Sequence, residues 1–367
     1  MKIRTGSALL AGAVIVGIVA ANAGAARSED GSANIAKYSQ VPKFVAAGPA
    51  FDASKAKGKV IFNIPVASYL PFVVNVGKSM AAIGKQVGVK VVDYPNQGQP
   101  SDWVTAINQA ITQKADLIVL NTAPDPRVLG PQLAAAKKAG IPVLVTHLYP
   151  AGRTLPANVT AQVPAPFPQA GMLLADGAIA ATKGNAHVLV IGESQFEGSR
   201  VLLSSLAKEL KQACPSCTST VRLVPISDWA TKISSTVTTA LVADKKINFV
   251  IGIYDAMQDQ IISGLTIGGH TKDVQTGSYN GVTSILQRIQ QGKTVAFTVG
   301  ESADQVAYAD MDQALRILSG VPPIKDPATP VRYFDAANAK DAGVPPKDST
   351  GYGTDYKAGF LKLWSVK

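Results

Sequence analysis

The stretch KVIFNIPVASYLPFVVNVGKSMAAIGKQVGVKVVDY, residues 59–94, decides the fold of this chain. Its opening residues, 59–64, form a mostly apolar, β-branched run that is typical of a strand buried on both faces. Apolar residues then recur at helical spacing over 72–87, and Gly88 is typical of a left-handed helix end. Residues 89–93 predict a second strand. The stretch is therefore a strand–helix–strand unit.

The same alternation continues along the chain in two series. The first series continues with strands at 117–121 and 141–146. The second series predicts strands at 187–192, 221–226, 248–253, 274–278 and 294–299, and helices at about 167–182, 197–212, 229–243, 255–266, 282–291 and 303–319. Such alternation predicts an α/β fold with parallel sheets covered by helices on both faces. Two series of similar length predict two Rossmann-like lobes.

Two segments outside these series lack the periodicity. Residues 26–57 are polar, contain Pro42 and Pro49, and predict an N-terminal arm without regular structure. Residues 329–367 are rich in Pro, Gly and Asp and predict an irregular extension.

Residues 1–25 have the features of a cleavable export signal. Lys2 and Arg4 precede an apolar run at 8–21, and Ala21-Asn22-Ala23 is a small-x-small cleavage pattern. A membrane anchor is the alternative, but the run is shorter than the roughly 20 apolar residues that a span requires. The sequence therefore predicts a signal peptide at 1–25 and a mature protein in the cell envelope.

The charge pattern favours a solvated surface. The net charge is +10 at pH 7, and most of it remains without Lys2 and Arg4. The basic residues are scattered, with no run of five and no interleaved aromatic residues, so we expect no nucleic-acid partner. About 340 residues follow the signal, enough for two domains of ordinary size.

The chain has two cysteines, in the sequence Cys214-Pro-Ser-Cys217. Redox pairs with this spacing begin a helix, whose N-terminus lowers the thiol pKa. This pair instead follows the predicted helix at 197–212. We therefore expect a structural disulfide between Cys214 and Cys217 rather than a redox site.

Polar and aromatic residues follow the predicted strands. In open parallel sheets, ligands bind beyond the carboxyl ends of the strands. The candidate ligand-binding residues at these ends are Ser68, Tyr69, Phe72, Asn121, His147, Trp229, Tyr254, Asp255, Asn280 and Glu301. Aromatic rings can stack on the C–H faces of a hydroxylated molecule, while amides and carboxylates bond its hydroxyls. The set predicts a site for a small polar solute.

Several candidates have a purely structural alternative. Phe72 and Trp229 begin predicted helices and could pack in the core. Asp255 could cap the helix that follows it, and Asn280 could serve only a turn. Glu301 could either bind a ligand or line a hinge.

The sequence contains no convincing catalytic or metal-binding constellation. Its three histidines are too dispersed for metal-ligand spacing, so we expect no metal site. His147 is either a pocket residue or a packed residue at a strand end. Gly-x-Ser-x-Gly, P-loop and Gly-x-Gly-x-x-Gly patterns are absent from the sequence. We therefore expect a binding protein without cofactor or enzymatic activity, with an exported hydrolase as the weaker alternative.

Five stretches carry a resemblance to a known family. They are IPVASYLPFVVNVGKSMAAIGKQVGVKVVDY (64–94), QKADLIVLNTAPDP (113–126), AKKAGIPVLVTH (136–147), NFVIGIYDAM (248–257) and VQTGSYNGV (274–282). In their order and spacing, residues 58–325 resemble ribose-type periplasmic sugar-binding proteins, the type I substrate-binding proteins of ABC importers.

The resemblance implies an organisation and a role. Residues 58–163 plus 301–328 would form the N-terminal lobe, and 164–300 plus 329–367 the C-terminal lobe and tail. Three crossovers would hinge the lobes, which would close on a sugar or polyol. We expect a periplasmic monomer that delivers this solute to an ABC permease in the inner membrane. A sensor that presents its ligand to a membrane receptor is the alternative.

The resemblance carries over to individual residues only in part. Phe72, Asn121 and Trp229 fall on family positions that stack on or contact the sugar. His147 and Asn280 stand where the family has Asp. The resemblance therefore implies an aromatic clamp with an altered hydrogen-bonding set, which suits a sugar other than ribose, a polyol or another polar solute.

Overall fold

Two sheets of mostly parallel strands form the architecture. The computed structural model describes residues 25–122, 125–325, 327 and 329–366, with side chains from residue 31 onward. The predicted export signal, apart from Ala25, lies outside the described residues. The first sheet has the strand order β2-β1-β3-β4-β5, and the second has the order β11-β10-β9-β8-β6-β7.

The elements alternate as the sequence predicts, except that strand β5 was not expected from the sequence. The strands are β1 (Val60–Pro65), β2 (Lys90–Asp93), β3 (Leu117–Asn121), β4 (Val143–Thr146), β5 (Ala161–Val163), β6 (His187–Gly192), β7 (Thr218–Leu223), β8 (Phe249–Gly252), β9 (Gln275–Asn280), β10 (Val295–Gly300) and β11 (Arg332–Asp335). The α-helices are α1 (Ala25–Tyr38), α2 (Pro71–Val87), α3 (Pro100–Thr112), α4 (Gly130–Lys138), α5 (Phe167–Ala181), α6 (Glu197–Ala213), α7 (Trp229–Ala243), α8 (Gln258–Gly268), α9 (Thr283–Gln290), α10 (Ala303–Leu318) and α11 (Asp355–Leu363).

Apolar burial and a glycine helix end account for the first strand–helix–strand unit and the strand beside it. All five residues of β3 are buried, as expected for a central parallel strand. Val76 and Met80 on the inner face of α2 are fully buried against the sheet, and each such side chain contributes about 1.5–3 kcal/mol. Gly88 ends α2 with φ 77°, a conformation that glycine adopts without steric cost.

From β1 to β11, the chain passes between the two sheets at three places. These connections run from β5 to α5, from β10 to α10, and from α10 to β11. Helix α5 packs in the core around the second sheet, whereas α10 packs in the core of the first. The predicted two-lobed α/β fold is confirmed. Among the described residues, no helix has the length and apolar character needed to cross a bilayer.

The N-terminal arm is more regular than its sequence predicts. Helix α1 occupies much of the segment expected to be irregular, and it packs against α5. Asn34 donates a hydrogen bond of 3.1 Å to Asp176 of α5. The prediction of an irregular arm was therefore wrong for residues 26–38, because tertiary contacts stabilise a helix whose sequence is polar overall.

The C-terminal tail also contains regular structure and contributes to both halves. Strand β11 pairs with β10 as the antiparallel edge of the second sheet. Helix α11 packs on the first lobe, where the ring of Trp364 stacks on Tyr308 at 5.6 Å and its Nε1 donates to Asp312 at 2.9 Å. The sequence predicted an irregular extension that belongs to the second lobe. The tail instead contains a strand and a helix, and the helix packs on the first lobe.

The two cysteines are disulfide-bonded, as predicted, with a Cα–Cα distance of 5.3 Å. Cys214 follows the last residue of α6, and β7 begins directly after Cys217. The strand therefore starts at Thr218, three residues before the predicted 221–226. An edge strand with mostly exposed side chains has no buried apolar run to mark its start.

Candidate functional site

A cavity lies between the carboxyl ends of the two sets of parallel strands, where both lobes meet. Its volume is about 90 Å³, and one water needs about 10–15 Å³ by a comparable measure. The space therefore suits a small molecule. The lining residues are Val66, Leu70, Pro71, Phe72, Val73, Thr122 and His147 from the first lobe, Phe167, Phe196, Ile226, Trp229, Tyr254, Ala256, Tyr279, Asn280 and Val282 from the second, and Glu301 at a crossing.

The structure brings six of the ten sequence-predicted residues together at this cavity. These residues are Phe72, His147, Trp229, Tyr254, Asn280 and Glu301. The other four, Ser68, Tyr69, Asn121 and Asp255, do not line it. A role in ligand binding remains a prediction for all ten.

The four remaining residues lie near the cavity but face other partners. Ser68 accepts a hydrogen bond from the backbone N–H of Asn96 at 3.0 Å. Tyr69 is half exposed in a neighbouring groove. Asn121 is fully buried and accepts a hydrogen bond of 3.0 Å from the hydroxyl of Thr122, so it positions a lining residue.

The carboxylate of Asp255 has a structural role that its sequence position left open. It accepts hydrogen bonds from the hydroxyl of Ser278 at 2.5 Å, the backbone N–H of Val282 at 2.7 Å and the hydroxyl of Thr298 at 3.0 Å. Burial raises the pKa of Asp255 to about 6, against the effect of these hydrogen bonds. Asp255 therefore joins the end of β8 to β9, β10 and the start of α9.

Six aromatic side chains, which we call the aromatic wall, surround much of the cavity. They are Phe72, Phe167, Phe196, Trp229, Tyr254 and Tyr279. Within the second lobe, the ring centroids of Trp229 and Tyr254 are 6.2 Å apart, and those of Tyr254 and Tyr279 are 6.1 Å apart. These separations lie within the range of favourable aromatic pairs. The wall thus has a continuous aromatic surface on one side of the cavity.

A buried polar cluster lies at one end of the cavity, with Glu301 at its centre. The carboxylate of Glu301 accepts hydrogen bonds from the hydroxyls of Tyr279 and Thr329, the latter at 3.2 Å. Its Oε1 is 3.4 Å from Nε2 of His147, across the two lobes' boundary. Burial, and then the charge of Glu301, raise the pKa of Tyr279 well above its ordinary value, so this hydroxyl remains a donor.

His147 is held in an unusual conformation beside this cluster. Its φ of 54° lies in the left-handed region that residues other than glycine rarely adopt. Burial lowers the pKa of His147, but the carboxylate of Glu301 and, to a smaller extent, Asp310 outweigh burial and raise it. The charged form is therefore favoured, which strengthens the interaction with Glu301. Backbone strain of this kind is concentrated at functional sites.

Ion pairs connect the two lobes at a second place. Glu197, the first residue of α6 in the second lobe, lies between two arginines of the first lobe. Its Oε1 is 2.7 Å from Nε of Arg153, and its Oε2 is 3.4 Å from a terminal nitrogen of Arg127. We call these three residues the interlobe clamp. The clamp favours the conformation in which the lobes are together.

The site shows no arrangement for metal binding within the described residues, where no three His, Cys, Asp or Glu side chains converge. The ring of His147 contacts a carboxylate through Nε2. The geometry is that of a partly open binding cavity with one charged end.

Comparison with known proteins identifies the family. The sequence profile of a family described as the periplasmic binding protein domain matches residues 61–321, which is most of the chain. The chain belongs to the periplasmic binding protein family. No curated protein sequence matches it. The ribose-type resemblance stated from the sequence agrees with this family.

Solved structures of periplasmic binding proteins share the fold. An ABC transporter solute-binding protein from Agrobacterium vitis with bound α-D-tagatopyranose has a TM-score of 0.71 and 17% identity, and covers 78% of this chain and 97% of its own. One from Mycobacterium smegmatis with bound glycerol has a TM-score of 0.70 and 18% identity, and the match covers 80% of this chain and 98% of that protein. One from Bacillus halodurans with bound myo-inositol has a TM-score of 0.66 and 15% identity, and the match covers 79% of this chain and 99% of that protein.

Sequence reasoning missed several lining residues of this periplasmic binding protein. Tyr279 precedes Asn280 at the end of β9, and Phe196 lies in a segment that follows β6. Both were in reach of the rule that ligands bind after parallel strands. Phe167 begins α5 directly after a crossing between the lobes and carried no comparable signal.

Proposed function

We propose that this protein is the exported solute-binding component of an ABC importer. It captures a small organic solute between its two lobes and delivers it to a permease in the inner membrane. The observation that carries the proposal is the cavity itself, which is lined by strand ends of both lobes and by the Glu301–His147 pair across their boundary. A ligand that contacts both lobes stabilises their closed arrangement.

Sugars and polyols are the first solute classes to test. The sequence suggests them, and related structures hold α-D-tagatopyranose, glycerol and myo-inositol. The aromatic wall supports this choice, because aromatic faces stack on the C–H faces of sugar rings.

The proposal includes the organisation expected from the sequence. Residues 1–25 would direct export to the periplasm, and the mature protein would act as a monomer without enzymatic activity. The N-terminal lobe would comprise residues 58–163 plus 301–328, and the C-terminal lobe residues 164–300, with helix α11 of the tail packed on the first lobe. A sensor that presents the same closed form to a membrane receptor is the second candidate.

A thermal-shift screen of the mature protein tests the proposal. The library should contain sugars, polyols, nucleosides, small organic acids and cyclic alcohols. A compound that binds the folded state raises the melting temperature by RT ln(1 + [L]/Kd) in free energy. We expect a selective hit that is recovered chemically unchanged. Conversion of the hit to a product would contradict the binding-protein assignment.

A further inference from the structure

We propose that the solute is a compact ring compound with a broad apolar face and few hydroxyl groups. This inference rests on the proposed function, capture of a solute in the interlobe cavity, and narrows its substrate class. Two observations carry it. The lining is mostly aromatic and aliphatic, and most of its polar groups already bond to the protein.

The apolar part of the lining is nearly continuous. Besides the aromatic wall, the aliphatic side chains of Leu70, Ile226 and Val282 contact the cavity. These three aliphatic side chains have no hydrogen-bonding group. A solute enclosed here therefore exchanges most of its water contacts for apolar ones.

The polar groups of the wall are hydrogen-bonded within the protein. The indole N–H of Trp229 donates to the carbonyl of Val224 at 3.0 Å. The hydroxyls of Tyr254 and Ser199 lie 2.8 Å apart and share a hydrogen bond. An indole N–H has a single hydrogen, so Trp229 has none left for a solute.

The charged end of the cavity is largely occupied, although Nδ1 of His147 is buried without a partner among the described residues. Tyr279 donates its hydroxyl hydrogen to Glu301, and the same carboxylate accepts from Thr329 and faces His147. Asn280 is different, because within the described residues its side-chain amide makes no hydrogen bond. Asn280 can therefore both donate to and accept from one polar group of the solute.

This inventory decides the number of hydroxyls that the cavity can accommodate. A hydroxyl that loses its water without a new partner lowers affinity by about 5-fold or more. A ring with one to three hydroxyls can pair them with Asn280, Nδ1 of His147 and a free lone pair of the Glu301 cluster. A ring with five or six hydroxyls would leave several unpaired.

Isothermal titration calorimetry with cyclic alcohols of one ring size tests the inference. The probes are cyclohexanol, cyclohexane-1,2-diol and myo-inositol, with D-allose as a hexose comparison, at concentrations up to the millimolar range. We expect the diol or cyclohexanol to bind at least about 10-fold more tightly than myo-inositol. Equal or tighter binding of myo-inositol or D-allose would overturn the inference and leave the proposed function standing.

Substitution of a cavity residue tests whether the probe binds in the cavity. Phe72→Leu keeps an apolar side chain of similar size but removes the ring, and we expect it to weaken binding of the preferred probe several-fold. Val242→Ala, at an exposed position of α7, is the control and should bind as the parent does. Unchanged binding by Phe72→Leu, or no binding of either cyclic alcohol, would overturn the inference. Failure of every compound in the thermal-shift library would contradict the proposed function as well.

Discussion

Replacing Glu197 with Gln should weaken the closed arrangement of the lobes. The carboxylate of Glu197 is mostly buried, whereas Arg127 and Arg153 are 42% and 45% exposed. Ion pairs of this exposure contribute about 0.5–1 kcal/mol each. Loss of both pairs therefore costs the closed form about 1–2 kcal/mol, and the ratio of closed to open molecules should fall about 5- to 30-fold.

Single-molecule fluorescence energy transfer between the lobes measures this ratio. Lys138→Cys on α4 and Lys245→Cys after α7 place one dye on each lobe at exposed positions, and the native cysteines are paired. The closed fraction should fall in Glu197→Gln. Added salt should reduce the difference between parent and variant, because exposed ion pairs are screened.

The control for this experiment is Asp244→Asn, which removes an exposed carboxylate of the second lobe outside the interlobe clamp. It should leave the closed fraction unchanged. If Glu197→Gln had the same closed fraction as the parent at low salt, the clamp would not stabilise closure and the reasoning would be refuted.

Three further predictions concern stability and the disulfide. Burial raises the pKa of Asp310 to about 7, against opposing effects of His147 and Thr146. The stabilising contribution of the protonated Asp310 carboxyl group is therefore present below pH 4 and is lost as pH rises towards 7. At pH 8 the ionised Asp310 lowers the free energy of unfolding, and Asp310→Asn should remove this loss, which is on the order of 4 kcal/mol at most. Chemical unfolding of parent and variant at pH 5 and pH 8 measures it. An equal pH dependence in the two proteins would contradict the prediction. Gly177→Ala places a Cβ 2.5 Å from the ring of Phe297 and should cost about 1–3 kcal/mol, whereas Gly130→Ala, which meets no neighbour within 4 Å, should not destabilise in the same thermal melt. Thiol titration of the unreduced, denatured protein should find no free thiol, and detection of two would disprove the Cys214–Cys217 bond.

Apart from β5, a three-residue strand that was not predicted, the buried parallel strands could be predicted from the sequence almost to the residue. Strands β3 and β6 match their predicted bounds, because central strands need continuous apolar runs. Strand β7 and helix α1 could not be placed in this way. One is an exposed edge strand, and the other depends on contacts with α5 and α6.

The site could be predicted in position but not in chemistry. The strand-end rule led to Phe72, Trp229 and Glu301, which line the cavity. It could not distinguish side chains that face the cavity from those that face inward. Asn121 and Asp255 are examples, since the hydrogen bonds of Asn121 with the adjacent Thr122 and of Asp255 with Val282 became visible only in three dimensions.

The central claim is that a solute is held between the two lobes. Small-angle X-ray scattering of the mature protein, with and without the compound identified by thermal shift, tests it most directly. Capture between the lobes predicts a smaller radius of gyration when the compound is bound, and this decrease should be lost in Phe72→Leu at the same concentration. A radius that does not change at saturating compound would contradict the claim.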